Sequence, residues 1–352
     1  MSFTRHGRAS IIVDGQFGST GKGLIAASLA LKPENECQIA TTNASANAGH
    51  TSIIGSRKFI TFHLPTFAVV QQCVAYLNAG AIINPKLLFK EMEEVGFPRN
   101  LLRIHPRAAV ITDEDVAAEA SSDSAQTKLA STRKGVGTAL ANKILRRSKL
   151  AGETPELAEF IEVIDLHTCL NWGDRIVVEI PQGFSLGINS GFSYPYCTSR
   201  DVTVMQGLAD ACIHPVYLGQ TMMSLRTYPI RVGNIIEGGV QLGTSGPCYP
   251  DQEEITFESI GQPEELTTVT KRIRRIFSFS TTQYRDACEV NRPDLVFLNF
   301  CNYLKDRDQL SDMVCDMTLA HMAPTHFGFG PAVEDVVTSL SDALNRLPQR
   351  GI

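Results

Sequence analysis

The sequence predicts an α/β fold: a central, mostly parallel sheet covered by helices, in a P-loop-like arrangement. Two observations carry that prediction. Short β-rich runs alternate with amphipathic stretches of helical length along the chain. The first run, Ile11-Ile12-Val13, leads directly into Asp14-Gly15-Gln16-Phe17-Gly18-Ser19-Thr20-Gly21-Lys22-Gly23 and then into a helix-like stretch, the strand, glycine loop and helix order of a phosphate cradle.

Taken in order, Ser10–Asp14 reads as the first strand and Lys22–Leu31 as the first helix. Gln38–Thr42 is a second strand, and Lys58–Phe62 closes a hairpin across Gly55-Ser56. Further strands fall at Arg175–Ile180 and Leu295–Asn299. Helices are expected at Pro85–Val95, Ala139–Lys149, Val202–Ala211 and Pro331–Leu347, the last with proline at its first position. Ala117–Gly137, rich in Ser, Thr, Ala and Lys without a clear period, is expected to contain a mobile surface loop. No repeat or low-complexity linker divides the 352 residues, so one large domain with insertions is expected over 1–352.

Composition narrows the class. With 43% hydrophobic and 20% charged residues the chain reads as an ordinary soluble globular protein, and no run of about 18 apolar residues suggests a membrane span. Met1 to Arg8 lacks a signal-peptide core, which points to the cytoplasm. A formal charge of −5 provides no global field for polymeric nucleic acid, so any anion site must be local. The nine cysteines form no C-x-x-C pair and read as buried small hydrophobes of a reducing compartment.

Three glycines in the loop let successive N–H groups point inward, and Lys22 with a helix N-terminus adds positive potential, so a nucleotide is the expected ligand. The spacing departs from an ordinary P-loop. Gln16 stands at the first glycine, and Gly23 replaces the hydroxyl residue that would hold magnesium. Asn47-Ala48-Gly49-His50-Thr51 follows the second strand, where ligands bind in open α/β sheets. There His50 suits either a hydrogen bond to a phosphoryl oxygen or a plain loop role. Ser131-Thr132-Arg133-Lys134-Gly135-Val136-Gly137 suits an anionic ligand or a solvated turn, and Arg146 and Arg147 share that ambiguity. Thr267-Thr268-Val269-Thr270-Lys271-Arg272, with Arg274 and Arg275, is a carboxylate clamp or a basic face.

Together with His63-Leu64-Pro65, Gln182-Gly183, Tyr194-Pro195-Tyr196-Cys197-Thr198 and Arg231-Val232-Gly233, these segments resemble adenylosuccinate synthetase over nearly the whole chain, from Asp14 to about Pro331. The resemblance implies a ligase that joins L-aspartate to the 6-carbon of a purine monophosphate, by way of a 6-phosphoryl intermediate, at the expense of a nucleoside triphosphate and with Mg2+. It implies that Thr20, Gly21, Lys22, Gly23, Gly49, His50, Thr51, Arg272, Asn299, Asn302, Gly328, Gly330 and Pro331 bind the donor. Ser19, Asn47, Ser131, Thr132, Arg146, Gln182 and Thr198 match positions that hold the monophosphate. By the same resemblance Ser19, Lys22, His50 and Gln182 are catalytic, and Ser19 and the Gly49 carbonyl stand at the metal. Thr267, Thr268, Val269, Thr270, Lys271 and Arg272 match the loop that receives aspartate, although the arginine expected at Thr270 is missing. Because the family's equivalent of Arg146 reaches into the partner subunit, a homodimer is implied.

Two departures redirect the expected substrates. Where the family has an aspartate that takes the purine N1 proton and binds magnesium, this chain has Ser19. An uncharged hydroxyl is a poor base and a weaker metal ligand, and it leaves room for a 2-amino group beside N1. The family's guanine-reading T-K-x-D run is Asn299-Phe300-Cys301-Asn302 here, and an amide in place of the carboxylate suits adenine. Both departures resemble a phage-encoded branch of the family that acts on dGMP with ATP or dATP, in the host cytoplasm. A divergent enzyme acting on IMP, and a nucleotide-binding regulator without activity, are the competing readings.

Overall fold

The computed structural model describes residues 8–121, 125–267 and 271–349. Its central sheet has nine strands: β1 (Ala9–Asp14), β2 (Ile39–Thr42), β3 (Val74–Leu77), β4 (Leu102–Ile104), β5 (Ile176–Glu179), β6 (Leu218–Arg226), β7 (Leu295–Asn299), β8 (His326–Gly328) and β9 (Val336–Val337). Their spatial order is β9-β8-β7-β6-β1-β5-β2-β3-β4, and only the β8–β9 pair is antiparallel. Every residue of β1 is buried. Ile11 and Val13 enter one apolar core and Ile12 the other, because successive strand residues point to opposite faces and both faces are covered.

Helix α1 (Lys22–Ala30) packs Ile25, Ala26 and Leu29 into the same core as Ile12. Gly23 lets α1 approach the hairpin of His50–Ile54 with Arg57–Thr61, since a Cβ there would stand 2.7 Å from the Thr51 carbonyl oxygen. Pro85–Val95 is helical as expected, capped by Asn84, whose side chain accepts from the Leu87 amide.

Two expectations are corrected. Pro331–Leu347 is not one helix: residues 333–335 form a 3-10 turn, β9 adds an edge strand, and the helix is confined to Leu340–Asn345 behind the Ser339 cap. Ala139–Lys149 shifts to α2 (Val136–Ile144), which ends because Arg146 adopts φ +60°. Arg146 N donates to Lys143 O and Arg147 N to Asn142 O, the paired bonds of a Schellman ending. Within Ala117–Gly137, residues 113–120 and 125–128 are helical, while 122–124 lie outside the described residues. Buried Glu119 accepts from the amides of Gly135 at 2.8 Å and Thr138 at 3.1 Å, joining the first of these helices to the start of α2.

Strands β1, β2, β5, β6, β7 and β8 end at Asp14, Thr42, Glu179, Arg226, Asn299 and Gly328. Their carboxyl ends therefore carry the chain's unusual polar residues to one rim of the sheet, where ligands bind in this architecture.

Candidate active site

Asp14 organises the glycine loop. Its Oδ1 accepts from the amides of Gln16 (2.8 Å) and Gly18 (3.2 Å), and its Oδ2 from Thr20 Oγ1 (2.5 Å) and Lys22 Nζ (3.0 Å). Lys22 Nζ also donates to the Gln182 carbonyl at 2.8 Å, so the cation is fixed at the mouth of α1. Gly18 and Gly21 have φ +95° and +100°, and Ser19 between them has φ +55°. A left-handed non-glycine residue costs about 1–3 kcal/mol, and such strain gathers at ligand sites. Here it exposes the Ser19 side chain to the cavity.

The opposite side of the loop is set by Gly183, where a Cβ would stand 2.2 Å from Gly18 N. That contact seats Gln182, itself at φ +73°, beside the phosphate cradle. Gln182 Nε2 donates to Asn47 Oδ1 at 2.9 Å, joining two residues 135 positions apart. His50 opens the hairpin after them. Its Nδ1 is 3.9 Å from Glu179 Oε2, and its Nε2 is buried with no hydrogen-bond partner. Burial, reinforced by the Lys22 charge, holds His50 down to about 3, so at neutral pH it is an uncharged imidazole.

The remaining wall, with the buried side chain of Arg226 behind it, includes residues that sequence reasoning did not assign. Arg226, fully buried, donates from Nη2 to Glu265 Oε1 at 2.6 Å and stacks its Cζ 3.8 Å from the Phe300 ring centre. Tyr303 donates to the same Glu265 oxygen at 2.9 Å. Burial opposes ionisation of Glu265, yet the Arg226 guanidinium holds its carboxyl below the usual carboxylate range. Arg274 completes the chain of charges, with Nε 3.8 Å from Glu265 Oε2 and Nη1 donating to Ser19 Oγ at 2.9 Å. Arg274 and the Thr267–Arg272 run were legible as a cationic cluster; a buried arginine at the end of β6 left no such signal.

These parts surround a cavity of about 530 Å³. From the glycine loop it is lined by Ser19, Thr20, Gly21, Lys22 and Gly23, and from the second segment by Asn47, Gly49, His50 and Thr51. Ser131, Thr132, Gln182, Thr198 and Thr267 also line it, as do Asn299, Phe300, Asn302, Gly330 and Pro331; Asn299 lies against the glycine loop, its Nδ2 donating to the Thr20 carbonyl at 2.7 Å. Arg146, Lys271, Arg272 and Gly328 do not line it. Arg146 is exposed. Arg272 instead donates from Nη2 to the Ala130 carbonyl at 2.8 Å, while its amide bonds Thr267 Oγ1 at 2.9 Å and closes the loop. Thr268, Val269 and Thr270 lie outside the described residues. Of the two residues expected at a magnesium ion, Ser19 is a poor fit, because the Arg274 guanidinium uses one lone pair of its hydroxyl and sets a positive charge beside it.

The family model for adenylosuccinate synthetase matches residues 11–164 and 155–317. The N6-succino-2-amino-2'-deoxyadenylate synthase of Salmonella phage PMBT28 is 38% identical over 361 residues, covering 94% of this chain and 97% of the relative. The adenylosuccinate synthetase of Pyrococcus horikoshii is 29% identical over 285 residues and covers 80% of each chain. Among solved structures, the succinoaminodeoxyadenylate synthetase (PurZ) of cyanophage S-2L, bound to dGMP and to dATP as an energy donor, superposes with a TM-score of 0.85. It is 36% identical, over 97% of this chain and 99% of that one.

Proposed function

The chain belongs to the adenylosuccinate synthetase family, and we propose that within it the protein acts as an N6-succino-2-amino-2'-deoxyadenylate synthase, joining L-aspartate to C6 of dGMP while cleaving ATP or dATP. The observation that carries the reading is Ser19: an uncharged side chain, exposed in the cavity and bonded to Arg274, at the loop position where IMP enzymes hold a carboxylate. A hydroxyl there leaves room for a 2-amino group.

The geometry supports the following division of labour. Lys22 and the amides of Gly21 and Gly23, at the positive end of α1, would receive the donor phosphates. His50 would present its unpartnered Nε2 to the transferred phosphoryl group, and Gln182, oriented by Asn47, would bond the purine 6-oxygen. Asn47, Ser131, Thr132 and Thr198 would hold dGMP, and Thr267 with its loop the aspartate. Asn299, Phe300 and Asn302, with Gly330 and Pro331, would enclose the donor base. Mg2+ would neutralise the triphosphate, with the Gly49 carbonyl as its one protein ligand in this reading. Arg146, exposed and outside its own chain's cavity, would complete a partner's site in a homodimer.

Among the described residues no helix is long and apolar enough to cross a membrane. The deciding experiment compares turnover of dGMP and IMP with aspartate and each of ATP, dATP and GTP, following the succinylated product by mass spectrometry. Product from dGMP with an adenine donor is expected. Product from IMP alone would make the protein an adenylosuccinate synthetase in the narrow sense, and no product from either purine would leave a nucleotide-binding regulator.

A further inference from the structure

We propose that Ser19 and Arg274 together replace a carboxylate base by holding the purine with N1 deprotonated. The inference rests on the reading that Ser19 faces N1 of dGMP.

Its starting point is the direction of one hydrogen bond. A guanidinium has no acceptor capacity, so the 2.9 Å contact between Arg274 Nη1 and Ser19 Oγ can only run from arginine to serine. One lone pair of the hydroxyl is thereby taken and its single proton is left for another acceptor. A neutral guanine presents N1–H, a donor, and gains little from a hydroxyl already polarised by a cation. Once N1 has lost its proton it presents a lone pair, and the Ser19 O–H can donate to it with the guanidinium charge directly behind. Both effects favour the deprotonated purine.

The surroundings supply the charge this requires. Arg274 is partly buried and fixed by Nε to the Leu266 carbonyl at 3.3 Å. Behind it Glu265 is shared by two guanidiniums, Arg226 and Arg274, so the group carries a net positive charge. Tyr303 faces Glu265 as a neutral donor. On the loop side Asp14 is bonded to Lys22, and uncharged His50 lies in the same cavity. Arg231, whose strand pairs with that of Arg275, also lines the cavity and adds a further cation held to main-chain carbonyls. Burial lowers Arg274 to about 10, which leaves it charged at neutral pH. In the step itself the N1–H bond breaks and the proton passes to solvent water. The electron pair spreads from N1 to O6, O6 bonds the terminal phosphorus of the donor, and the bond from that phosphorus to the bridging oxygen breaks to release the nucleoside diphosphate.

Deprotonation of bound dGMP is read by ultraviolet difference spectroscopy against pH, with a non-hydrolysable ATP analogue present, beside the pH profile of kcat. Arg274→Met should move the midpoint of bound dGMP at least one pH unit upward and cut kcat at neutral pH tenfold or more, with the deficit shrinking as pH rises. Arg274→Lys should restore most of the midpoint. Ser19→Ala, a change at an exposed loop residue, should move it in the same direction. Unshifted midpoints in both Arg274→Met and Ser19→Ala, with kcat lowered equally at every pH, would overturn the proposal while leaving dGMP as substrate. A wild-type protein that binds no dGMP would overturn the underlying reading as well.

Discussion

Glu179 stands directly behind His50, with Oε2 3.9 Å from Nδ1, at the carboxyl end of β5. The same carboxylate accepts from the amides of Thr66 (3.1 Å) and Phe67 (2.7 Å), where a short helix begins. Burial pushes Glu179 up to about 7 against the pull of those amides and of Lys22. The loop histidine is thus backed by a carboxyl that gains or loses its charge near neutrality.

This arrangement predicts a pH-dependent stability. A carboxyl raised from 4.5 to about 7 on folding contributes stability that is full below the unfolded value and is lost as pH rises through the folded one. The melting temperature of the wild type should therefore fall, relative to Glu179→Gln, as pH is raised from about 5 to about 8. A difference between the two proteins that stays constant across that range would show that Glu179 ionises like an ordinary carboxylate.

His50 is held uncharged, so it contributes no ionisation of its own to the rate profile near neutral pH. Its Nε2 hydrogen bond to the phosphoryl group should tighten in the transition state. His50→Ala is expected to lower turnover roughly 10²-fold or more with little change in dGMP affinity. Near-normal turnover would remove His50 from the mechanism.

What the sequence disclosed, and what it concealed, follows from range. The glycine loop, the hairpin at Gly55-Ser56 and the strands beginning at Ala9 and Leu295 are encoded by neighbours in the chain, and the folded protein has them where the pattern places them. Strand β6 was hidden because Gln220, Thr221 and Ser224 interrupt its apolar run. Ser224 is polar for a reason visible only in three dimensions, since its Oγ bonds the Thr20 carbonyl at 2.9 Å. Near the C-terminus the apolar spacing from Pro331 imitates a helix, yet Val336 and Val337 pair with β8. The true start was written in Ser339 and Asp342, whose amide bonds the Ser339 hydroxyl at 3.0 Å. The Arg226–Glu265–Arg274 chain joins three distant segments by charge, and no local period reports such a union.

Arg146 offers a test of assembly. It follows α2 in a left-handed conformation, with Ile144 and Leu145 exposed beside it. Mixing Arg146→Leu with inactive His50→Ala should restore activity through hybrid dimers, each pairing one intact set of residues across the subunits. Failure to recover activity despite demonstrated subunit exchange would count against a shared site.

Donor choice should be altered at Asn302, which lines the cavity. Asn302→Asp turns a donor and acceptor into an acceptor alone; if Asn302 reads the adenine of the donor, as proposed, the carboxylate would face a ring nitrogen and should weaken ATP use by about 1–3 kcal/mol. Gain of GTP use should be partial. Phe300 occupies the family's lysine position, and the Arg226 guanidinium stacked 3.8 Å from its ring would repel a second cation there. Unchanged discrimination between ATP and GTP, measured as the ratio of kcat/KM values, would refute Asn302 as the reader.

Ser19 provides the sharpest test of the purine. Ser19→Asp would place a carboxylate beside Arg274, whose Nη1 already lies 2.9 Å from the serine oxygen, so the new charge has a partner and the loop should still fold. The longer side chain would crowd a 2-amino group next to N1, lowering dGMP turnover. It would also supply a base of the kind IMP chemistry uses, and reaction with IMP should appear or rise. Both changes are read from kcat/KM for the two monophosphates at a fixed, saturating donor concentration. If Ser19→Asp still binds ATP and keeps the wild-type preference for dGMP, purine choice resides in other residues of the cavity, because neither the volume nor the charge at position 19 would then be what the enzyme measures.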